Sequence, residues 1–534
     1  MSTVKPRLGI DVGGTNTDAV IMVGDEVIAS TKQLTTRDVR DGVIAAVRAV
    51  LDAAAVQPGD LGIAMIGTTQ FINAFVQRKD LSQIAAVRVS LPKTDGIPPM
   101  VGWPSDLLDI VGRHYYFVGG GAFYDGREYA ALDVAALEDA ARDIGARGIR
   151  SIALTATFAP VRPDIERAAA NVILGVLPDV DITLSSDVGG VGLIDRENAA
   201  LINASLRGLS RKVVASLREA FESIGVTAPI YLSQNDGTLI SMDYATRFPI
   251  FTCSAGPTNS IRGAAFLTGM QDAIVMDIGG TTTDLGFLVR GFPRETATAH
   301  LTGGVRTNFR MPDVLSIAVG GGTLVRFNGE AVQLGPDSVG YELGSRALAF
   351  GGNELTTTDI AVRAGHAGIG DAQLVRQIGD DVVEAVLDRI HGQIEDAIDQ
   401  MKTNSTPVPV ILVGGGHILV SRPLRGVLET HRPKHAEVAN AVGAAIALVS
   451  GRVDRVYDFA SLGRDEALAQ AKSEARSAAI ASGAAPDSIE IVDIVELPMT
   501  YMKPGSVQIK VRAVGQLEIG AVFRAAGQLE VEAV

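Results

Sequence analysis

The chain has 534 residues, 47% hydrophobic and 20% charged, a balance that excludes a disordered protein and allows two to four domains. Its net charge of −14 argues against a general nucleic-acid or anionic-membrane surface, so any phosphate must be gripped locally by backbone amides or a metal ion. One cysteine, Cys253, excludes an intrachain disulfide framework and predicts a reducing, cytoplasmic setting. No apolar run reaches the roughly 18 residues of a membrane span, and Met1–Arg7 leads directly into a strand, leaving no room for a signal peptide's apolar core.

In chain order, residues 6–33 read as a set of antiparallel hairpins, with Gly24-Asp25 as one of the turns. Asp41–Ala55 has helical spacing of apolar residues and ends at Pro58-Gly59. Leu61–Ile66 is a short apolar strand that delivers Gly67-Thr68-Thr69-Gln70 to its carboxyl end, where ligands bind in open α/β sheets. Residues 92–130, with four prolines, a glycine triplet and the only tryptophan, form a long excursion of the kind that is more often functional than idle. Helices are expected over Asp133–Arg147, Arg162–Leu177 and Arg196–Ile224. The second half repeats the plan: a strand into Gln234-Asn235-Asp236-Gly237, a helix after Cys253-Ser254-Ala255-Gly256-Pro257, and a second glycine hairpin. A strand then leads into Gly320–Gly322, followed by a long amphipathic helix over Asp371–Lys402 and a buried strand into Gly414-Gly415-Gly416-His417. Ala436–Val449 reads as helical, and beyond Gly451 a polar helix and alternating strands predict a small α+β appendage.

The organising feature is a repeat. Residues 10–18 read Ile-Asp-Val-Gly-Gly-Thr-Asn-Thr-Asp, residues 276–284 read Met-Asp-Ile-Gly-Gly-Thr-Thr-Thr-Asp, and about half the chain separates them. Each is a strand–glycine turn–strand unit, and the repetition suggests a duplicated domain with a cleft between the copies. Glycines at such a tip let backbone N–H groups surround a phosphate, while the flanking acids suit Mg²⁺, which favours oxygen ligands and retains waters. Other candidates are weaker. Cys253 opens a turn at a helix start, where a thiol pKa falls, but a place as a small buried hydrophobe is the more ordinary one for it. Asn235 and Asp236 close a strand facing the expected cleft, His417 adjoins the third glycine run, and His431 and His435 are spaced as a helical metal pair but flank Pro433.

Asp-x-Gly-Gly-Thr-x-Thr-Asp twice, with Gly-Gly-Gly late in the chain, resembles the phosphate-1, phosphate-2 and adenosine elements of the actin-like ATPase superfamily. Within it, the chain is most similar to the hydantoinase/oxoprolinase family. The likeness runs through Gly67-Thr68-Thr69, Asn73-Ala74, Arg78-Lys79, Ser254–Pro257, Pro312–Leu315, Gly335–Ser338 and Thr356–Asp359, roughly residues 6–450. The resemblance implies an α/β fold of duplicated actin-like (ribonuclease H-like) domains over 1–195 and 196–450, with the α+β appendage over 451–534. It also implies an ATP-dependent hydrolase that opens a cyclic amide or imide by phosphorylating its carbonyl oxygen. Carried over, Asp11 and Asp277 sit at the Mg²⁺–phosphate centre, with Asp284 as a third catalytic acid. Gly13, Gly14, Thr15, Asn16, Thr17, Gly279, Gly280, Thr281 and Thr282 contact the phosphates of ATP, and Gly414, Gly415 and Gly416 the nucleoside. A hydantoinase B-like second subunit and an oligomeric assembly are the implied partners. A small-molecule kinase of the same superfamily and a nucleotide-switched non-catalytic subunit are the alternatives. Ile66 stands where relatives often carry a histidine, and its side chain has no donor atom for a metal.

Overall fold

The computed structural model describes residues 5–518, apart from 15, 35–38, 297–299, 310, 330 and 500–503. Thr15 and the tail from 519 therefore lie outside the described residues.

The first sheet is built from β1 (Arg7–Val12), β2 (Asn16–Val23), β3 (Glu26–Leu34) and β4 (Ile63–Thr68). It is continued by β5 (Ile230–Ser233) and β6 (Thr238–Ser241). β1 is buried on both faces, as expected of a central strand between two layers. Its period of two sends Leu8, Ile10 and Val12 into one core with α1 (Val39–Ala54) and α3 (Leu193–Ser223), while Gly9 and Asp11 face the other way. Between β4 and α3 the chain makes α2 (Gln70–Val76), and then a separate four-stranded parallel sheet over Ala85–Leu91, His114–Gly119, Ser151–Ala156 and Asp181–Leu184. The excursion before residue 130 contributes one of those strands. It also contributes a buried Trp103, whose Nε1 donates to Asn198 Oδ1 at 2.9 Å, so the tryptophan packs the core.

After α4 (Ala255–Thr268) comes the second sheet, of β7 (Ala273–Ile278), β8 (Thr283–Val289), β9 (Phe292–Pro293) and β10 (Val314–Ile317). α5 (Asp380–Met401), β11 (Val408–Val413) and β12 (Val427–His431) complete it. α5 buries Val383, Val386, Ile390, Ile394 and Ile398, the i, i+3/i+4 stripe that its sequence spells. Truncating Ile390 to alanine would cost about 2–5 kcal/mol by the usual core-cavity rule.

The two sheets share one arrangement. β3-β2-β1 are antiparallel neighbours, and β4 then β5 lie parallel beside β1. β10-β8-β7 are likewise antiparallel, with β11 then β12 parallel beside β7. α4 and α6 (Ala439–Ala445) cross between them in backbone contact. A methyl group on Gly263 would lie 1.8 Å from Ala439 O, and one on Gly443 would lie 1.8 Å from Asn259 O, so only glycine allows this crossing.

Three expectations change. The helix expected over 436–449 ends at Ala445, because Leu448 opens a long strand, β13 (Leu448–Asp458). β13, β14 (Glu490–Pro498) and β15 (Ser506–Gly515) do not form a separate appendage: β13 pairs with β6, so the first sheet has nine strands in the order β14-β15-β13-β6-β5-β4-β1-β2-β3. The expected boundary at 196 falls inside α3, and the second sheet begins only at Ala273.

Candidate phosphate site

Both glycine hairpins close identically. Gly13 N donates to Asn16 O at 3.0 Å, and Gly279 N donates to Thr282 O at 2.9 Å. In each, the two acids of the motif are cross-strand partners, Asp11 opposite Asp18 and Asp277 opposite Asp284. Strand alternation then fixes their direction. Asp11 shares a face with Gly9, against α6, and Asp277 shares a face with Val275, against α4.

The crossing helices exchange contacts. α6, which follows the second sheet, sends Asn440 to the first hairpin, where Nδ2 donates to Asp11 Oδ2 at 3.0 Å and to Asp18 Oδ2 at 2.9 Å. α4, which follows strands of the first sheet, sends Ser260 to the second hairpin, where its hydroxyl donates to Asp277. Asn259 Nδ2 and Asp11 Oδ1 both crowd the face of Gly67, where a methyl group would sit 2.3 and 2.4 Å from them. That is a reason for Gly-Thr-Thr at the end of β4. Lys32 on β3 donates to both oxygens of Asp18, at 2.6 and 2.7 Å, and to Glu437 O at 3.1 Å. On β10, Ser316 donates to Asp284.

The acids are held protonated more readily than free carboxyls. Burial, then the charges of Asp18 and Asp277, pushes Asp11 up to about 7, opposed by the Asn259 and Asn440 amides. Burial likewise raises Asp284 to about 6, opposed by Ser316, with Asp277 adding to the rise. Asp18 and Asp277 move up mainly through burial, with Lys32 pulling both back. A cation brought among these groups would favour their charged forms.

Among the described residues no three His, Cys, Asp or Glu side chains converge as a protein-only metal cage. Asp11 Oδ1 is buried without a hydrogen-bond partner. An oxygen set of one or two carboxylates with an open lone pair fits Mg²⁺ bound jointly with phosphate and water, and does not fit a thiolate or imidazole metal site.

The tips sit in a glycine frame. Gly321 N and Gly322 N donate to Gly279 O (3.0 Å) and Gly280 O (2.6 Å), and the Thr357 and Thr358 hydroxyls hold Gly321 O. Thr281 and Thr282 are exposed at the second tip, while Thr17 is buried and Asn16 half-buried at the first. Gly414 leaves β11 at φ +80, and a methyl group there would meet Asp277 Oδ1 at 2.2 Å. Gly416 lies against Ile278 and Gly279 in the same way. The structure thus gathers Asp11, Asp277 and Asp284 with both tips and Gly414–Gly416.

Other candidates go elsewhere. Burial pushes the Cys253 thiol up to about 12, so it is a protonated core group and not a nucleophile. The side chain of Asn235 accepts from Ser254 N at 2.8 Å and so holds the start of α4 in place, while Asp236 is buried against Thr238, Arg452 and Arg512. His417 Nδ1 sits 2.9 Å from Gly414 O in its own loop, and His431 pairs with Glu429. Ile66 packs into the first core with Leu8 and Ile10. Sequence reasoning missed Lys32, Asn259, Ser260, Ser316 and Asn440. None belongs to the repeat itself, and the available signal was pairing: Lys32 and Ser316 each lie opposite the second acid of a hairpin.

The model of the hydantoinase/oxoprolinase N-terminal region matches residues 7–177, and the hydantoinase/oxoprolinase model matches residues 196–368. The chain belongs to the hydantoinase/oxoprolinase family. Caprolactamase subunit alpha of Pseudomonas jessenii is 24% identical over 72% of this chain and 59% of its own length. Acetophenone carboxylase gamma subunit of Aromatoleum aromaticum is 22% identical over 67% of this chain and 53% of its own. The chain therefore spans little more than half the length of these curated relatives. Among solved structures, the ATP-dependent caprolactamase from Pseudomonas jessenii superposes with a TM-score of 0.76 at 19% identity, covering 96% of this chain and 88% of that one. Nucleotide-free acetone carboxylase gives 0.69 at 19% identity, with the same 96% and 88% coverage. This family member thus shares their mixed α/β fold. No helix of the described residues is long and apolar enough to cross a membrane.

Proposed function

We propose that the chain is the ATP-using subunit of a cyclic amide or imide hydrolase, acting on a hydantoin, oxoproline or lactam ring. The observation that carries this reading is the convergence of two glycine hairpins, their acids and the Gly414–Gly416 turn on one centre. In this reading the two sheets are copies of an actin-like core. Backbone N–H groups of Gly14 and Gly280 face the phosphates, while Gly13 and Gly279, whose N–H groups close the tips, let the backbone approach. Thr15, Asn16, Thr17, Thr281 and Thr282 add side-chain donors. Gly414–Gly416 offer flat backbone to the nucleoside, and Asp11, Asp277 and Asp284 hold Mg²⁺ directly or through its waters. The metal would neutralise charge on the transferring phosphoryl group. The ring carbonyl oxygen attacks the terminal phosphorus, its C–O–P link forms as ADP departs, and water then adds to the activated carbon. The ring C–N bond then breaks, its nitrogen taking up a proton and the carbon keeping the phosphate as an acyl phosphate. A second water releases phosphate and the open carboxylic acid, so each turnover consumes one ATP and two waters. The protein's share is alignment and charge stabilisation.

Both of these relatives, a caprolactamase subunit alpha and an acetophenone carboxylase gamma subunit, are subunits by name, which supports a hydantoinase B-like partner here. The carboxylase relatives favour one second reading, an ATP-dependent carboxylation subunit. The test is incubation of the protein, with and without the product of a neighbouring gene, with ATP and a panel of lactams and hydantoins. Ring-opened acid and ADP in equal amounts are expected. ADP formed only with a ketone and bicarbonate selects the carboxylase, a stable phosphorylated product selects a kinase, and no ATP consumption with any substrate sinks the enzyme reading.

A further inference from the structure

We propose that Lys32 is a nucleotide-binding residue that supplies the one protein cation at the phosphate site, an inference that rests on the ATP reading above. Asp11, Asp18, Asp277 and Asp284 crowd one another within a chain of net charge −14, so a protein cation beside any Mg²⁺ would favour phosphates there. Lys32 is the only cation recorded as acting on these acids among the described residues, touching Asp18 and exerting an attraction on Asp277. Its place is also suitable. The ammonium binds Glu437 O at 3.1 Å, and its Cε would lie 3.8 Å from a methyl group on Gly415, so it stands between the first hairpin and the nucleoside turn. The Lys32 side chain is 32% exposed while that of Asp18 is 3% exposed, so the carboxylate is sealed and the lysine reaches it from the solvent side.

The second hairpin is the internal control. Register places Lys32 opposite Asp18 and Ser316 opposite Asp284. A hydroxyl therefore satisfies the same position of the same fold, and the hairpin itself does not require a lysine. The three ammonium donors go to both oxygens of Asp18 and to Glu437 O, and a phosphate would take over one or two of them while one stays on Asp18.

The experiment is equilibrium binding of ATP and ADP, with Mg²⁺, to wild type, Lys32→Ala, Lys32→Arg and the double variant Lys32→Ala/Asp18→Asn, each with a melting curve. Lys32→Ala should weaken ATP about 10–100-fold, the loss expected for one charge-assisted contact. Lys32→Arg should recover part of it. In the double variant the carboxylate needing compensation is gone, so a lysine that serves only Asp18 would no longer be missed. Continued weak binding by a folded double variant supports the proposal. Return to wild-type affinity in the double variant, or unchanged affinity in Lys32→Ala, overturns it. Absence of nucleotide binding in the wild type overturns both this proposal and the ATP reading, whereas wild-type binding that Asp277→Asn abolishes and Lys32→Ala leaves intact overturns this one alone.

Discussion

The two hairpins carry the same acids at the same cross-strand positions and are treated differently by their surroundings. Around the first, Asp18 has an ammonium, and Asn440 bridges Asp11 and Asp18. Around the second, Asp277 and Asp284 receive only hydroxyl hydrogen bonds, from Ser260 and Ser316. A hydroxyl donor offsets less charge than an ammonium, so the second pair keeps more unmet negative charge. A duplicated motif has therefore become an asymmetric site. The first hairpin brings its own cation, and the second is the side that most needs one from solution. That difference makes the two sides of the site unequal.

The largest break in the comparison should come from Asp277→Asn. Removing that charge takes away one acid of the proposed Mg²⁺ site while keeping the shape. Turnover should fall by about 10³-fold or more, on the scale of losing an electrostatic element of phosphoryl transfer. Circular dichroism and the melting curve should stay near wild type. Retained activity would mean that the phosphate centre is misplaced. Next in size is Gly443→Ala. Its methyl group collides with Asn259 O and pushes apart the helices that carry Asn440 and Ser260 to opposite hairpins. A stability loss of about 1–3 kcal/mol is expected, as for overpacking generally. ATP binding should weaken as well, since both hairpins lose their second supports together.

Asp11→Asn acts on the first hairpin with a sign set by pH. The carboxyl titrates near 7 in the folded chain and near its ordinary 3.8 when unfolded. Between those values the unfolded chain has already lost its proton and the folded one has not. The contribution to stability is therefore complete below about pH 4, and is lost as pH rises to about 7. Asp11→Asn, which cannot ionise, should be more stable than wild type at pH 8 by roughly 1–4 kcal/mol and no more stable at pH 4. Melting curves across that range check it. Mg²⁺ should raise the wild-type melting temperature at pH 8 and raise the variant's by less, since Asp277 and Asp284 remain.

Much of this was readable from the residues. The hairpins, the strand into Gly414–Gly416 and the amphipathic stripe of α5 follow from local periodicity and turn chemistry, which neighbours in sequence determine. The C-terminal strands were read correctly as strands and wrongly as an appendage. Their alternation says that one face is buried, but not which sheet they extend, and that choice is made by the pairing of Thr238-Leu239 with Leu448-Val449. The supports of the acids were illegible for the same reason. Asn440 lies 429 positions from Asp11, and nothing in an alanine-rich helix marks one amide as crossing to another lobe. Cys253 takes the place its small apolar side chain favours, in the core, where burial outweighs the local rule about helix starts.

The smallest effect should come from Ser316→Ala, which tests the asymmetry most directly. Its hydroxyl is a neutral donor to Asp284, a group held near 6 chiefly by burial. Losing one neutral donor to a charged acceptor costs about 1–2 kcal/mol, and here the half-buried carboxylate can take water instead. Turnover with Mg²⁺ should fall less than about 5-fold, against the far larger loss expected at Asp277. Ser316→Lys then copies the first hairpin's solution into the second. An ammonium on Asp284 would compete with the metal for the same charge, so the Mg²⁺ concentration giving half-maximal activity should rise while Ser316→Ala leaves it nearly unchanged. Equal metal dependence in the two variants would mean that the second hairpin's unpaired charge is not what draws the metal, and that the two hairpins share it evenly.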